Sequence, residues 1–126
     1  MSKEQRPGMA TFAGIVMFLV AGFHGLMSIS EFTQSAWLSD IPIGFFSTNA
    51  TLWGIIDAII ALVAIYTGYA ILKGDMSGRM LGYAIAILSA IRWFMILPAA
   101  PVMGLIIIVL DIFVMFGLSS NDTYFY

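Results

Sequence analysis

The chain has 126 residues, of which 61% are hydrophobic and only 10% charged, with a formal net charge of −2 and no cysteine. Soluble domains carry about 25% charged residues, and a domain this small has no interior large enough to hide so much apolar surface, so the surrounding solvent is lipid. The composition excludes a nucleic-acid partner, since little here could neutralise a phosphate backbone, and it excludes thiol chemistry, disulfides and iron–sulfur ligation.

The length fits a single domain, 1–126. Lys3 and Arg6 precede an apolar run from Met9 to about Ile29. The pattern imitates a secretory signal. The run, however, exceeds the roughly 7–15 residues of a signal's apolar region, and no small-x-small cleavage site follows, so a retained first helix is expected. A bilayer core about 30 Å thick takes roughly 20 apolar residues at 1.5 Å each. Spans are therefore predicted at about 10–30, 52–72, 80–97 and 102–118, the last two somewhat short, which implies modest tilt or local thinning.

The first two spans are joined by a loop, 31–51, whose Trp37, Phe45 and Phe46, with Trp53 just beyond, suit a segment lying in the membrane interface. Lys73-Gly74-Asp75-Met76-Ser77-Gly78-Arg79 reads as a polar turn, with glycine stopping one helix and Asp75 or Ser77 capping the next. In Leu97-Pro98-Ala99-Ala100-Pro101 two prolines break the helix, and so short a link forces an antiparallel neighbour. Lys3, Arg6, Lys73 and Arg79 fall on one side of the membrane, whereas the other side holds Glu31 and Asp40 but no Lys or Arg. The positive-inside rule then places both termini and the 73–79 turn in the cytoplasm. The expected fold is all-α, an up-down-up-down four-helix membrane bundle. The Asn49-Ala50-Thr51 and Asn121-Asp122-Thr123 sequons lie on opposite faces and carry no weight.

Each predicted span contains one ionisable residue at its outer half: His24, Asp57, Arg92 and Asp111. Charges inside a span cost about 2.5–3.5 kcal/mol each on insertion scales, so each needs a reason. Counted from the outer ends of the spans, all four sit about 8–14 Å deep, in one layer. From Asp57, small residues Ala61, Ala64 and Gly68 follow at helical spacing, which turns the aspartate into the bundle. His24 shares a face with Ser28 and Glu31, a polar track toward the outer surface. Arg92 lies below Ser89 on a helix that also carries Gly82, Ala86 and Ala90, and Asp111 follows Gly104 by seven residues. A faint internal echo accompanies this: Gly14 precedes His24 by ten residues and Gly82 precedes Arg92 by ten, as either two duplicated hairpins or coincidence would show.

The plainer reading of the layer is structural, with Arg92 neutralising one or both aspartates and His24 bonding the remaining acceptor, so that helix pairing is fixed. Spacing leaves open whether Asp57 or Asp111 is the partner of Arg92. The functional reading is a site for a proton, an ion or the polar head of a lipophilic molecule, with His24 able to switch with pH. A metal site is disfavoured because one His with two carboxylates lacks paired-His spacing. Bis-histidine haem is impossible with one His, and His–Met ligation finds only ordinary packing methionines. Neither a phosphate-binding glycine loop nor a nucleophile elbow is present, and no catalytic residue or cofactor is assigned.

The run Leu52-Trp53-Gly54-Ile55-Ile56-Asp57, with Gly68-Tyr69-Ala70-Ile71-Leu72-Lys73-Gly74, Gly78-Arg79, Leu88-Ser89-Ala90 and Leu97-Pro98-Ala99-Ala100-Pro101, resembles an uncharacterised family of small four-helix membrane proteins common in actinobacteria. Its members carry a Trp-Gly pair opening the second helix, a Gly-Arg turn, a Leu-Pro-x-x-Pro link and an aspartate in the last helix, matched here by Asp111. The resemblance spans roughly 10–118. It departs at Asp57, where many members have His, and at Arg92, where a neutral residue is commoner, which implies that the chemistry of the layer varies. The resemblance implies a multi-pass protein of the bacterial inner membrane and assigns no activity.

The expected function is that of a small non-enzymatic accessory or scaffold subunit of a larger membrane complex, with lipid, other membrane subunits or further copies of itself as partners. The alternative is a module that binds or transports a lipophilic or protonatable small molecule through the polar layer. An enzyme acting on lipid or quinone has least support, because no nucleophile–base pair is visible.

Overall fold

A computed structural model describes residues 7–33 and 50–126. Its helices are α1 (Gly8–Phe32), α2 (Ala50–Lys73), α3 (Met76–Ile96) and α4 (Pro101–Ser120), followed by a 3-10 turn at Asp122–Tyr124. All four α-helices are long and apolar enough to cross a membrane. Helix is the form expected of such sequence in lipid, where every backbone N–H and C=O must find a partner within its own segment. The chain is thus a helical membrane bundle, and the described residues contain no strand.

Sequence neighbours run antiparallel, and α4 returns to α1 to close the bundle. On α1 and α2, Gly14 lies against Gly68 and Leu72, while Phe32 lies against Gly54. A Cβ on Gly68 would stand 3.0 Å from the Gly14 carbonyl oxygen, so two glycines let the α1 and α2 backbones approach here. At the same end Gly117 of α4 touches the Met9 backbone, and Gly82 of α3 meets Leu118.

The α2–α3 turn explains itself locally. Gly74 takes φ +75, a conformation glycine adopts without the clash a Cβ would bring. Its N–H bonds the Ile71 carbonyl and the Asp75 N–H bonds the Ala70 carbonyl, both at 3.0 Å, which closes the last turn of α2 as a Schellman motif. Asp75 then takes the N-cap position of α3. The C-terminal segment fastens onto this turn: the Tyr124 hydroxyl donates to the Leu72 carbonyl at 2.8 Å, and the Tyr126 N–H donates to the Gly74 carbonyl at 3.0 Å. The start of α1, the α2–α3 turn and the chain end therefore lie together. Pro101 opens α4 at a position where its missing N–H costs nothing.

Two apolar clusters fill the interior. The larger, built around Met17, Ile71, Ile85, Val114 and Leu118, occupies the end holding the α2–α3 turn, and the smaller joins Met27, Trp93, Ile96 and Ile107 at the opposite end. Large apolar side chains such as Leu26, Leu62, Met80, Phe94 and Ile106 point outward.

Several boundaries differ from the sequence expectation. Helix α1 continues through Phe32, so Glu31, assigned to the 31–51 loop, is helical, as are Ala50 and Thr51. Helix α3 begins at Met76 rather than about 80, because the polar turn needs only Gly74 and Asp75. The buried face of α3 runs through Gly78, Gly82, Ala86 and Ser89, whereas Ala90 is only half-buried. Lys3, Arg6, Trp37, Asp40, Phe45, Phe46 and Asn49 lie outside the described residues.

Candidate functional site: a buried chain of polar side chains

From the level between the two apolar clusters out to the end of α1, α1 contributes His24, Ser28 and Glu31, α2 contributes Asp57, α3 contributes Ser89 and Arg92, and α4 contributes Asp111. All seven are buried. Glycine and alanine allow this: Ala61, Ala64 and Gly68 continue the Asp57 face of α2 and are themselves buried, so α1 and α3 come close enough for short side chains to meet.

The centre of the chain is Asp57. One carboxylate oxygen, Oδ1, accepts from His24 Nδ1 at 2.6 Å, and the other, Oδ2, accepts from Arg92 Nε at 3.1 Å and Nη2 at 2.9 Å. Arg92 Nη2 also donates to Glu31 Oε1, so one guanidinium joins carboxylates from α1 and α2. The guanidinium carbon stands 4.4 Å from the centroid of the Trp53 ring, a cation–π contact that packs the charge without exposing it. Because Nδ1 of His24 faces a carboxylate, Nδ1 carries the ring proton and the neutral ring leaves Nε2 as an acceptor. Ser89 Oγ lies 3.1 Å from Nε2 and supplies the hydroxyl donor. Trp93 closes the layer edge-on to the imidazole, with ring centroids 6.3 Å apart. Nearby, Ser28 Oγ donates to the Gly54 carbonyl at 2.7 Å, a second polar tie between α1 and α2.

Of the four residues read from sequence as one layer, the structure joins His24, Asp57 and Arg92. Asp111 stands apart. Neither of its carboxyl oxygens makes a hydrogen bond, although the Ser89 hydroxyl lies close enough to interact with it. The open question of the arginine's partner resolves to Asp57, and Glu31 joins it. The sequence pattern puts Glu31 on an outer track rather than in the layer. Its seven-residue spacing from His24 puts it on the right face, but the apolar run in the sequence ends at Ile29, short of a helix that reaches Phe32. Ser89 was visible only as a neighbour of Arg92, and nothing in the sequence marked it as the bridge to His24. Of the hairpin echo, Gly14 abuts α2, whereas Gly82 meets both Leu118 of its own hairpin and Ile71 of the other. In bonding the two hairpins differ: His24 reaches the aspartate of its own hairpin, whereas Arg92 crosses to the other.

Both ring nitrogens of His24 are engaged by protein groups, so a metal or haem iron would have to displace Asp57 or Ser89. On the far side of Trp93 an apolar cleft of about 330 Å³ opens between α1, α3 and α4, lined by Phe23, Leu26, Met27, Trp93 and Met103. A cleft of that size and lining accepts a hydrocarbon chain or a small lipophilic ring.

A family model described as a domain of unknown function, DUF7144, matches residues 9–123 and so covers nearly the whole chain, and the chain belongs to that family. Neither a curated protein nor a solved structure matches it.

Proposed function

We propose that this member of the DUF7144 family is a small non-enzymatic membrane subunit, one that packs against other chains in a larger membrane assembly while its buried polar chain holds its own helices in register. The observation that supports this reading is the mutual engagement of the polar groups. Both nitrogens of His24 and both oxygens of Asp57 are taken up by neighbouring side chains, which leaves the apolar exterior as the surface able to meet a partner. Buried polar sets of this kind fix which helices pair and in what register.

In this reading the protein lies in the bacterial inner membrane, as the resemblance to actinobacterial proteins suggests. Lys73 and Arg79 sit at the end that holds the chain terminus, and Glu31 sits at the other, so the positive-inside rule points the α2–α3 turn and both termini toward the cytoplasm. The test is extraction in a mild detergent followed by native mass spectrometry. A stoichiometric complex heavier than the 13.8 kDa chain is expected, either with another membrane protein or with further copies. A chain that runs alone at its monomer mass would count against the reading.

A second reading, binding of a lipophilic molecule, draws on the cleft beside Trp93. Met103→Trp would fill that cleft without touching the polar chain. Loss of a co-purifying lipophile in this variant, with folding intact, would favour the second reading over the first.

A further inference from the structure

Among the described residues, Asp111 is the one buried ionisable residue that the helix-holding chain does not use. Its relative exposure is 0%, and neither carboxyl oxygen receives a hydrogen bond. Among the described residues no cation pairs with it. The other buried ionisable side chains among the described residues are already committed: His24 and Glu31 on α1, Asp57 on α2 and Arg92 on α3 bond one another. A carboxyl buried without a donor is satisfied by a proton of its own, since the acid form brings an O–H that can be given to a neighbouring oxygen. Ser89 Oγ is that neighbour, and it lies 3.1 Å from His24 Nε2 on its other side.

We propose that Asp111 is a proton-binding site, deepest in the polar chain, that exchanges its proton with His24 through the Ser89 hydroxyl. In the loaded state the Asp111 O–H donates to Ser89 Oγ, and the Ser89 O–H donates to Nε2 of neutral His24. Transfer breaks the Asp111 O–H bond and forms a bond from that proton to Ser89 Oγ, while the original Ser89 proton passes to Nε2. The products are an Asp111 carboxylate and a His24 imidazolium, the serine is unchanged, and no electrons are gained or lost. The imidazolium is held against the Asp57 carboxylate at 2.6 Å. From there Arg92 and Glu31 continue the polar chain to the second-last residue of α1, where the bundle meets the outer headgroups.

The test is infrared spectroscopy of the full chain in liposomes between about pH 5 and 8, with exchange into D₂O. A protonated-carboxyl C=O band is expected in the wild type. Its Asp111 component should be lost in Asp111→Asn, a variant that keeps the side chain's shape. In Ser89→Ala it should persist but move to higher frequency, having lost its acceptor, and its deuterium shift should appear at least tenfold more slowly. Helical circular dichroism confirms that each variant is folded. Absence of the band from the folded wild type overturns the proposal, as does an unchanged band in Asp111→Asn. A Ser89→Ala variant with wild-type frequency and exchange rate overturns the route through serine.

Discussion

Arg92 and Asp57 meet through two hydrogen bonds to a single oxygen, at 3.1 and 2.9 Å, and this leaves the second oxygen of Asp57 for His24. One carboxylate on α2 thereby holds α1 and α3 at once. Lipid offers little hydrophobic driving force between helices, so the pairing of a bundle like this rests on close packing and on such interhelical bonds.

The two sides of the His24 ring do unequal work. Nδ1 bonds a carboxylate at 2.6 Å and Nε2 a serine hydroxyl at 3.1 Å. Asn places its amide near the position of Nδ1, and Gln places its amide near that of Nε2. His24→Asn should therefore keep the stronger, charge-assisted bond and lose about 0.5–1.5 kcal/mol, while His24→Gln loses about 1.5–3 kcal/mol. Thermal unfolding in detergent measures the order, and equal losses would show that the Asp57 bond has no special weight.

The α1–α2 contact makes a second expectation. Gly68→Ala puts a methyl group 3.0 Å from the Gly14 carbonyl oxygen and 3.1 Å from the Phe18 ring, and the helices must separate to admit it. A loss of about 1–3 kcal/mol is expected. Gly22→Ala, on the same bundle but with nothing within 4 Å of the new Cβ, should stay within about 0.5 kcal/mol of wild type. Comparable losses from the two would mean that backbone approach does not set the helix distance.

Gly74→Ala is expected to cost about 1–2 kcal/mol from the left-handed backbone alone. The added Cβ would also stand 2.9 Å from the Tyr124 ring, so the C-terminal segment should loosen. Hydrogen exchange at Phe125 and Tyr126 reports this directly, and unchanged protection there would show that the segment does not depend on the turn.

The four helices and their antiparallel order were legible because lipid imposes one strong rule: long apolar runs become helices, and short links fold them back. Lys73-Gly74-Asp75 and Leu97-Pro98-Ala99-Ala100-Pro101 announced the two tight connections. The membership of the polar layer was legible because a buried charge is rare enough to notice. Its wiring was not. Depth along a helix fixes which residues share a level, but the rotation of each helix about its axis decides who bonds whom, and no spacing encodes that. Arg92 thus has Asp57 and Glu31 as partners, and Asp111, at a similar depth on the adjoining hairpin helix, has none of them. Ser89 was hidden for another reason, since a serine in a membrane helix is commonplace until its partner is known.

The claim that Arg92 and Asp57 form the central tie is tested most directly by a double-mutant cycle on unfolding free energy in detergent. Arg92→Leu strands Asp57 as a buried charge and should cost about 3–5 kcal/mol, with a comparable loss for Asp57→Leu. Combining the two strands neither partner of the pair, and Glu31, near the end of α1, lies close to the headgroups; the double variant should recover at least about 1 kcal/mol relative to the sum of the single losses. Arg92→Leu combined with Asp111→Leu should show no such recovery, because the arginine makes no bond to that carboxyl. Additive losses for Arg92 with Asp57, together with recovery for Arg92 with Asp111, would contradict the account.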